Sequence, residues 1–464
     1  MSIRPEDFLR FEEENDLFEK SINGIHYWQL VRAELYNYIL DIQFKHESRH
    51  PDLTNNKKPK IQSVMRLFLS SVLHRHDKIS KNLILLSSSS NRNGQTELII
   101  KLKEDSFAYL NRPVNYLHEI NNHNVKMIYP DFMELIRGAY IVLLQHNTRI
   151  IRMVKKDVNS WLGKMENEFD MHLDLDTIVN KVIYSVGSIQ VLYPYFKKMI
   201  KKWKPSKVVL SPYYERFNLA LIKAARFSGI RIYEYQHGAI SKYHIAYNYF
   251  KMHDEYLPDY FLFFGDYWKN TIVFPEKERI LVTGSLALEE KTNWYKRNNA
   301  KKKVTKGIAF ISQGPFTNLL YPFAEKLVEL FEDERIDYRV YYKLHPNEVK
   351  TWDLFHKNYN DKRIIMETGD YYDLMSKIDY QIGINSTALF EGVAFNISTL
   401  IIDCDYLEES DMRAFCDMGY GRLISKPEDV VDIIKNGNVE SPKSEDFWHS
   451  NSEDCFKKAL KIIS

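Results

Sequence analysis

The sequence predicts an α/β protein made of two successive parallel-sheet units, and three observations predict it. Short apolar runs bounded by turn residues recur from residue 83 onward, as buried parallel strands read. These runs alternate with helical segments of about 10–15 residues, which is the pattern of βαβ units. The alternation stops once, over the charged and apolar-poor stretch 289–306, and restarts beyond it. At 464 residues, and with about 150 residues per domain as a soft prior, the chain has room for two or three domains with cores of their own.

In chain order, the first 80 residues read as helices: Phe8, Phe11, Leu17 and Phe18 recur at near-helical spacing, and Trp28, Leu30, Val31, Leu35 and Ile39 continue the pattern. Residues 44–62 are polar, contain Pro51 and Pro59, and read as a linker or exposed loop. Leu83–Leu86, running into a serine-rich turn that ends at Gly94, is the first strand, and Val125–Tyr129 is a second. Helical periodicity through Ile136, Tyr140, Leu143, Leu144 and Ile150 opens a helical insertion over 132–204. Strands follow at 207–210, 231–235, 260–264 and 279–282, with a helix at 217–228. Beyond the linker, strands are expected at 307–312, 338–343, 363–366, 379–384 and 398–403, with helices at 318–333, 371–377, 386–395, 427–435 and 452–463. The division is a helical extension (1–80), a first Rossmann-like domain (81–290) carrying the insertion, a linker (291–306), a second Rossmann-like domain (307–440), and a C-terminal helix (441–464) able to pack back on the first domain.

Composition narrows the function classes. Sixty-four Lys and Arg against 62 Asp and Glu leave a net charge of +2, so no global field marks a nucleic-acid binder. The three cysteines, Cys404, Cys416 and Cys455, have no metal-binding spacing and fit a reducing compartment. The acidic start lacks the apolar core of a signal peptide, and no apolar run approaches the roughly 18 residues of a membrane span. The expectation is a cytoplasmic protein. Thirty-one Tyr and 26 Phe suit sugar or base stacking, and equally suit large cores.

In open parallel sheets, ligands bind beyond the carboxyl ends of the strands. Neither a GxGxxG nor a GxxxxGK[ST] loop follows any strand, which removes the simple dinucleotide and NTPase readings. Strand 338–343 runs into Leu344-His345-Pro346; the proline ends pairing and leaves His345 at the strand end, with Lys343 on the same face. Strand 379–384 runs into Asn385-Ser386-Thr387, where two hydroxyls and unpaired N–H groups at a helix start make an anion site, although Ser386 also reads as a plain cap. Glu391 lies one turn further on, within reach of a ribose diol. Gln313 and Gly314 open the second domain in a loop whose N–H groups suit a phosphate.

These motifs, His345-Pro346 after one strand and Gly383-x-Asn-Ser-Thr-x-x-x-Glu391-Gly392 after another, resemble the C-terminal domain of GT-B glycosyltransferases. More narrowly, they resemble the bacterial sialyltransferase, polysialyltransferase and capsular Kdo transferase group. The resemblance covers roughly residues 205–405. It implies two Rossmann-like domains around a deep cleft, with His345, Ser386 and Thr387 on the donor phosphate and Glu391 on the ribose. It implies transfer of a sugar from a CMP- or UDP-sugar to a growing surface polysaccharide or lipid-linked glycan. The loop Gln236-His237-Gly238 is similar to the QxG loop of capsule-synthesis transferases and to the WHG loop of teichoic-acid-type polyol-phosphate transferases, whose histidine is the proposed base.

Inverting transfer needs a base for the acceptor hydroxyl and stabilisation of the departing phosphate. His237 or Glu215 suits the first role; Lys343, His345, Ser386 and Thr387 suit the second without a metal or other cofactor. Asp403-Cys404-Asp405 has the spacing of a metal-binding DxD but reads as a loop after an edge strand. Ser88, Asn91, Gln236 and Gly238 are expected on acceptor-side loops. The stretch 193–207 carries six lysines and no acid among aromatics, which suits either a solvated helix face or docking on an anionic membrane. The alternatives are a CDP-glycerol or CDP-ribitol type transferase and a sugar-nucleotide epimerase on the same fold.

Overall fold

The apolar runs do form parallel strands, and their order defines the architecture. The computed structural model describes residues 3–43, 83–88, 106–110, 126–299, 306–346, 348–349, 352, 359–407, 410–437 and 444–461. The leader folds as α1 (Pro5–Glu14), a short hairpin (Ser21–Ile22 with Ile25–His26) and α2 (Trp28–Gln43). The expected loop at 44–62 lies outside the described residues.

The first sheet contains β1 (Leu83–Ser88), β2 (Ser106–Leu110), β3 (Lys126–Ile128), β4 (Lys207–Ser211), β5 (Arg231–Tyr235), β6 (Tyr260–Phe263) and β7 (Ile280–Val282). The second contains β8 (Gly307–Ile311), β9 (Arg339–Lys343), β10 (Ile364–Glu367), β11 (Tyr380–Gly383), β12 (Ser398–Ile402) and β13 (Arg422–Ile424). Among the described residues the orders are β3-β2-β1-β4-β5-β6-β7 and β10-β9-β8-β11-β12-β13, with every pair parallel. Counted within each domain, both contain the Rossmann order 3-2-1-4-5-6. Two such units in succession are the GT-B architecture. Each reverses direction once, between β1 and β4 and between β8 and β11, so the switch points lie at the loops after those strands.

The insertion is three helices, α3 (Asp131–Gln145), α4 (Thr148–Phe169) and α5 (Leu175–Trp203). After β4 comes α6 (Arg216–Phe227), whose Leu219, Ala220, Leu221 and Ile222 are buried. The stretch expected as a linker is helical as far as Asn299, within α7 (Leu286–Asn299). Its Glu and Lys residues are good helix formers, and charge without apolar periodicity does not exclude an exposed helix. The second domain adds α8 (Thr317–Asp333), α9 (Thr387–Val393) and α10 (Asp411–Asp417).

The C-terminal α11 (Ser452–Lys461) lies on the first domain. The Phe456 ring meets Tyr235 at 5.5 Å, the His449 amide donates to the Phe264 carbonyl at 2.7 Å, and Glu289 of α7 accepts from the amides of Asn451 and Ser452 at 2.9 and 2.8 Å. That carboxylate at the start of α11 also opposes the positive end of its helix dipole.

The edge-strand expectation needs correcting. β12 is not an edge strand, because β13 pairs beyond it; Asp403 follows β12 and pairs with Arg413 at 3.6 Å. The Arg216 guanidinium at the start of α6 donates to Glu34 and, at 2.8 Å, to Ser185 Oγ.

Candidate functional site

In the second domain, the loops on either side of the switch point are joined by side chains. Gln313, after β8, donates from Nε2 to the Asn385 carbonyl and accepts the Asn385 amide on Oε1 at 3.1 Å, so it holds the β11 loop rather than presenting a free amide. Glu348 does the same for the β9 loop. It is buried, accepts from Ser312 Oγ and Thr317 Oγ1 at 3.0 Å each, and accepts the His345 amide at 3.0 Å. Gly314 passes beside that carboxylate.

His345 itself opens to solvent at the end of β9. Partial burial holds its imidazole below the ordinary histidine value, against the pull of Glu348 and with help from Lys343. Lys343 is buried and donates to the Leu344 carbonyl at 2.8 Å; desolvation lowers its pKa too. Ser386 caps α9, accepting the Ala388 amide at 3.4 Å, and half-buried Thr387 is the first helical residue. Gly392 lets α9 lie on the sheet: a Cβ there would fall 2.2 Å from Nε2 of Gln381, a buried β11 side chain that donates to Leu389 and Thr399.

Glu391 accepts from the Tyr372 hydroxyl at 2.9 Å, and burial pushes its carboxyl up to about 7. The native state therefore holds this proton more tightly than the unfolded chain, and stability is lost as pH rises from about 4.5 to about 7. Glu391→Gln should raise stability relative to the unmodified chain by roughly 1–3 kcal/mol at pH 8 and by little at pH 4, read from thermal melts at both values. A difference that does not change between the two pH values contradicts the assigned shift.

In the first domain, the loop after β5 is built on Gln236. This buried side chain donates to the Gly238 carbonyl at 2.7 Å and accepts the Phe264 amide at 2.7 Å. The His237 side chain is only 4% exposed. Its Nε2 lies 3.0 Å from the Tyr214 hydroxyl, and its Nδ1 lies 3.1 Å from the Tyr247 hydroxyl, which donates to buried Glu234. Tyr214 also meets His244 Nε2 at 3.2 Å. Glu215 is half-buried at the start of α6 and is not part of these bonds to His237. Ser88 ends β1 in register with Ser211, and Asn91 lies outside the described residues.

The two domains meet at this loop. A Cβ on Gly238 would lie 3.7 Å from Thr387 Oγ1, so the His237 loop faces the start of α9. Ser241 donates to Asp411 of α10, whose carboxyl burial pushes up to about 6. The structure thus brings Gly238, the neighbour of His237, to Thr387, and Gly314 and His345 together around Glu348.

No protein-family profile matches the chain, and no curated protein matches it. Among solved structures it is similar to a UDP-GlcNAc 2-epimerase from Neisseria meningitidis bound to UDP-GlcNAc, with 12% identity, a TM-score of 0.49, and 82% of this chain and 100% of that chain covered. It is similar to MurG of Acinetobacter baumannii, with 11% identity, a TM-score of 0.46, and coverage of 82% and 99%. It is also similar to the spinosyn rhamnosyltransferase SpnG, with 9% identity, a TM-score of 0.42, and coverage of 82% and 96%.

Sequence reading passed over Glu348, Tyr214, Glu234, His244 and Tyr247. Glu348 had a local signal, an acid three residues after a strand-ending His where its carboxylate reaches back to the His amide, as in a capping box. Tyr247 and His244 lie in Ser241-Lys-Tyr-His-Ile-Ala-Tyr-Asn-Tyr249, an aromatic run with neither helical nor strand period, and only the fold brings them to His237.

Proposed function

We propose that the protein is a glycosyltransferase that moves a sugar, with inversion and without a metal, from a CMP- or UDP-sugar to a growing surface polysaccharide or lipid-linked glycan. The observation that carries this reading is the approach of the Gln236-His237-Gly238 loop of one domain to Thr387 at the start of α9 in the other, at a switch point. His345, Ser386, Thr387 and the amides near Gly314 would hold the donor phosphate, with the Lys343 charge behind them and Glu391 on the ribose. The His237 cluster would take the acceptor proton.

The test is nucleotide release from a panel of CMP- and UDP-sugars with a glycan acceptor, beside the His345→Ala variant. Release is expected from one base class, with kcat about 100-fold lower in the variant. Release of CMP from CDP-glycerol or CDP-ribitol alone would instead assign a polyol-phosphate transferase. Conversion of a sugar nucleotide without release would assign an epimerase.

A lipid-linked acceptor fits one surface of the insertion. Lys198, Lys201, Lys202 and Lys204 are exposed at the end of α5, and the neighbouring α3 exposes Phe132 (45%) and Leu143 (69%) together with Ile136 and Val142. Among the described residues no helix is long and apolar enough to cross a membrane, so contact would be with the lipid surface. At about 1 kcal/mol per lysine near anionic lipid, changing these four lysines to Gln should weaken vesicle binding by about two to three orders of magnitude. Transfer to a soluble acceptor should be unchanged. Equal sedimentation of both proteins with phosphatidylserine vesicles would make the stretch a solvated face only.

A further inference from the structure

The tyrosine hydroxyls around His237 fix where its protons sit. Glu234 is fully buried, and a carboxylate only accepts. The single Tyr247 hydroxyl proton is donated to Glu234, so the Tyr247 oxygen faces His237 Nδ1 as an acceptor and Nδ1 carries the ring proton. In the neutral ring Nε2 is then the lone pair, and it accepts the Tyr214 hydroxyl at 3.0 Å. The Tyr214 oxygen also meets His244 Nε2, 3.2 Å away. His237 is thus engaged at both nitrogens and nearly closed off, whereas Tyr214 is half-buried beside the Gly238 loop that faces Thr387.

We infer that Tyr214 is the catalytic residue that meets the acceptor hydroxyl, with His237 receiving the proton behind it. The inference rests on the glycosyl-transfer reading. As the acceptor oxygen bonds to the anomeric carbon, the bond from that carbon to the donor phosphate breaks, and the nucleotide leaves with the electron pair. The acceptor proton passes to the Tyr214 oxygen while the Tyr214 proton passes to His237 Nε2. The imidazolium formed keeps its Nδ1 proton on Tyr247, and Glu234 Oε1, 3.9 Å from Nδ1, supplies the counter-charge. A His244 Nε2–H donated to the Tyr214 oxygen steadies the partial tyrosinate at the moment of exchange.

Tyr214→Phe tests this directly, because the ring keeps its edge contacts with Tyr213 and Tyr247 at 5.7 and 5.9 Å. The variant is expected to bind nucleotide as before, with KM for the donor unchanged and kcat lower by about 100-fold or more. A Tyr214→Phe enzyme with unaltered kcat overturns the inference. A second measurement does not depend on turnover: in protein carrying ¹⁵N-histidine, with the resonances assigned by loss in His237→Gln, His237 should be the Nδ1–H tautomer. An Nε2–H tautomer overturns the relay by itself. Absence of nucleotide release by the unmodified protein from every donor would instead reject the glycosyl-transfer reading, and the tautomer would still decide the relay.

Discussion

The His237→Ala variant should bind nucleotide as the unmodified protein does and transfer sugar about 10²- to 10⁴-fold more slowly, the range spanned by losing a positioned general base. Binding should survive because the residues assigned to the donor sit on the other domain, on loops held by Gln313 and Glu348. Transfer should fail because the ring links the half-buried Tyr214 hydroxyl to the Tyr247–Glu234 pair, and its Nε2 is the base that receives the Tyr214 proton. An imidazole also works near its optimum at neutral pH, whereas a carboxylate base must first have its pKa raised. Glu215→Gln should therefore be the milder defect. Isothermal titration with the donor nucleotide and steady-state transfer, measured on both variants, check the expectation. A dead Glu215→Gln enzyme beside an active His237→Ala enzyme would exchange the two roles.

Much of the fold was legible because buried parallel strands are short apolar runs, and Leu83–Leu86, Val208–Leu210 and Phe261–Phe263 read as such without any partner in view. The strand Ser106–Leu110 did not, since Ser-Phe-Ala-Tyr-Leu is mixed in character and only its pairing beside β1 makes it a strand. Helix α7 was hidden by its charge, because a helix that buries little apolar surface has little apolar periodicity to show. At the site, residues immediately after strands could be located, since a strand end is a sequence feature. Residues that act through those neighbours, such as Glu348 on the His345 amide or Tyr247 on His237, depend on three-dimensional proximity that spacing does not encode.

The same distinction gives the helical leader a testable role. Arg32 of α2 is buried with Glu12 of α1, donating from Nε and Nη2 to the two carboxylate oxygens at 2.6 and 2.7 Å, and the Trp28 indole N–H donates to Glu12 at 2.6 Å. Burial alone would lower the proton affinity of Arg32; the Glu12 carboxylate overcomes that and keeps it charged. The guanidinium also reaches out of the leader, donating to the carbonyls of Ile245 and Asn248 at 2.7 and 2.9 Å, and it lies 4.4 Å from the centre of the Tyr249 ring. Those carbonyls flank Tyr247, so the leader braces the segment that orients His237. Arg32→Met should cost about 3–5 kcal/mol, because it strands Glu12 as an uncompensated buried charge, and denaturant unfolding reads that loss. The double variant Glu12→Gln/Arg32→Met removes the stranded charge and should recover most of the stability, yet it leaves both carbonyls without the guanidinium. Its kcat should stay about 10-fold down while nucleotide affinity is normal, since a small misplacement of a catalytic group is enough to slow the chemistry. A double variant that regains full transfer together with its stability would show that the buried pair holds the leader together and does nothing for His237.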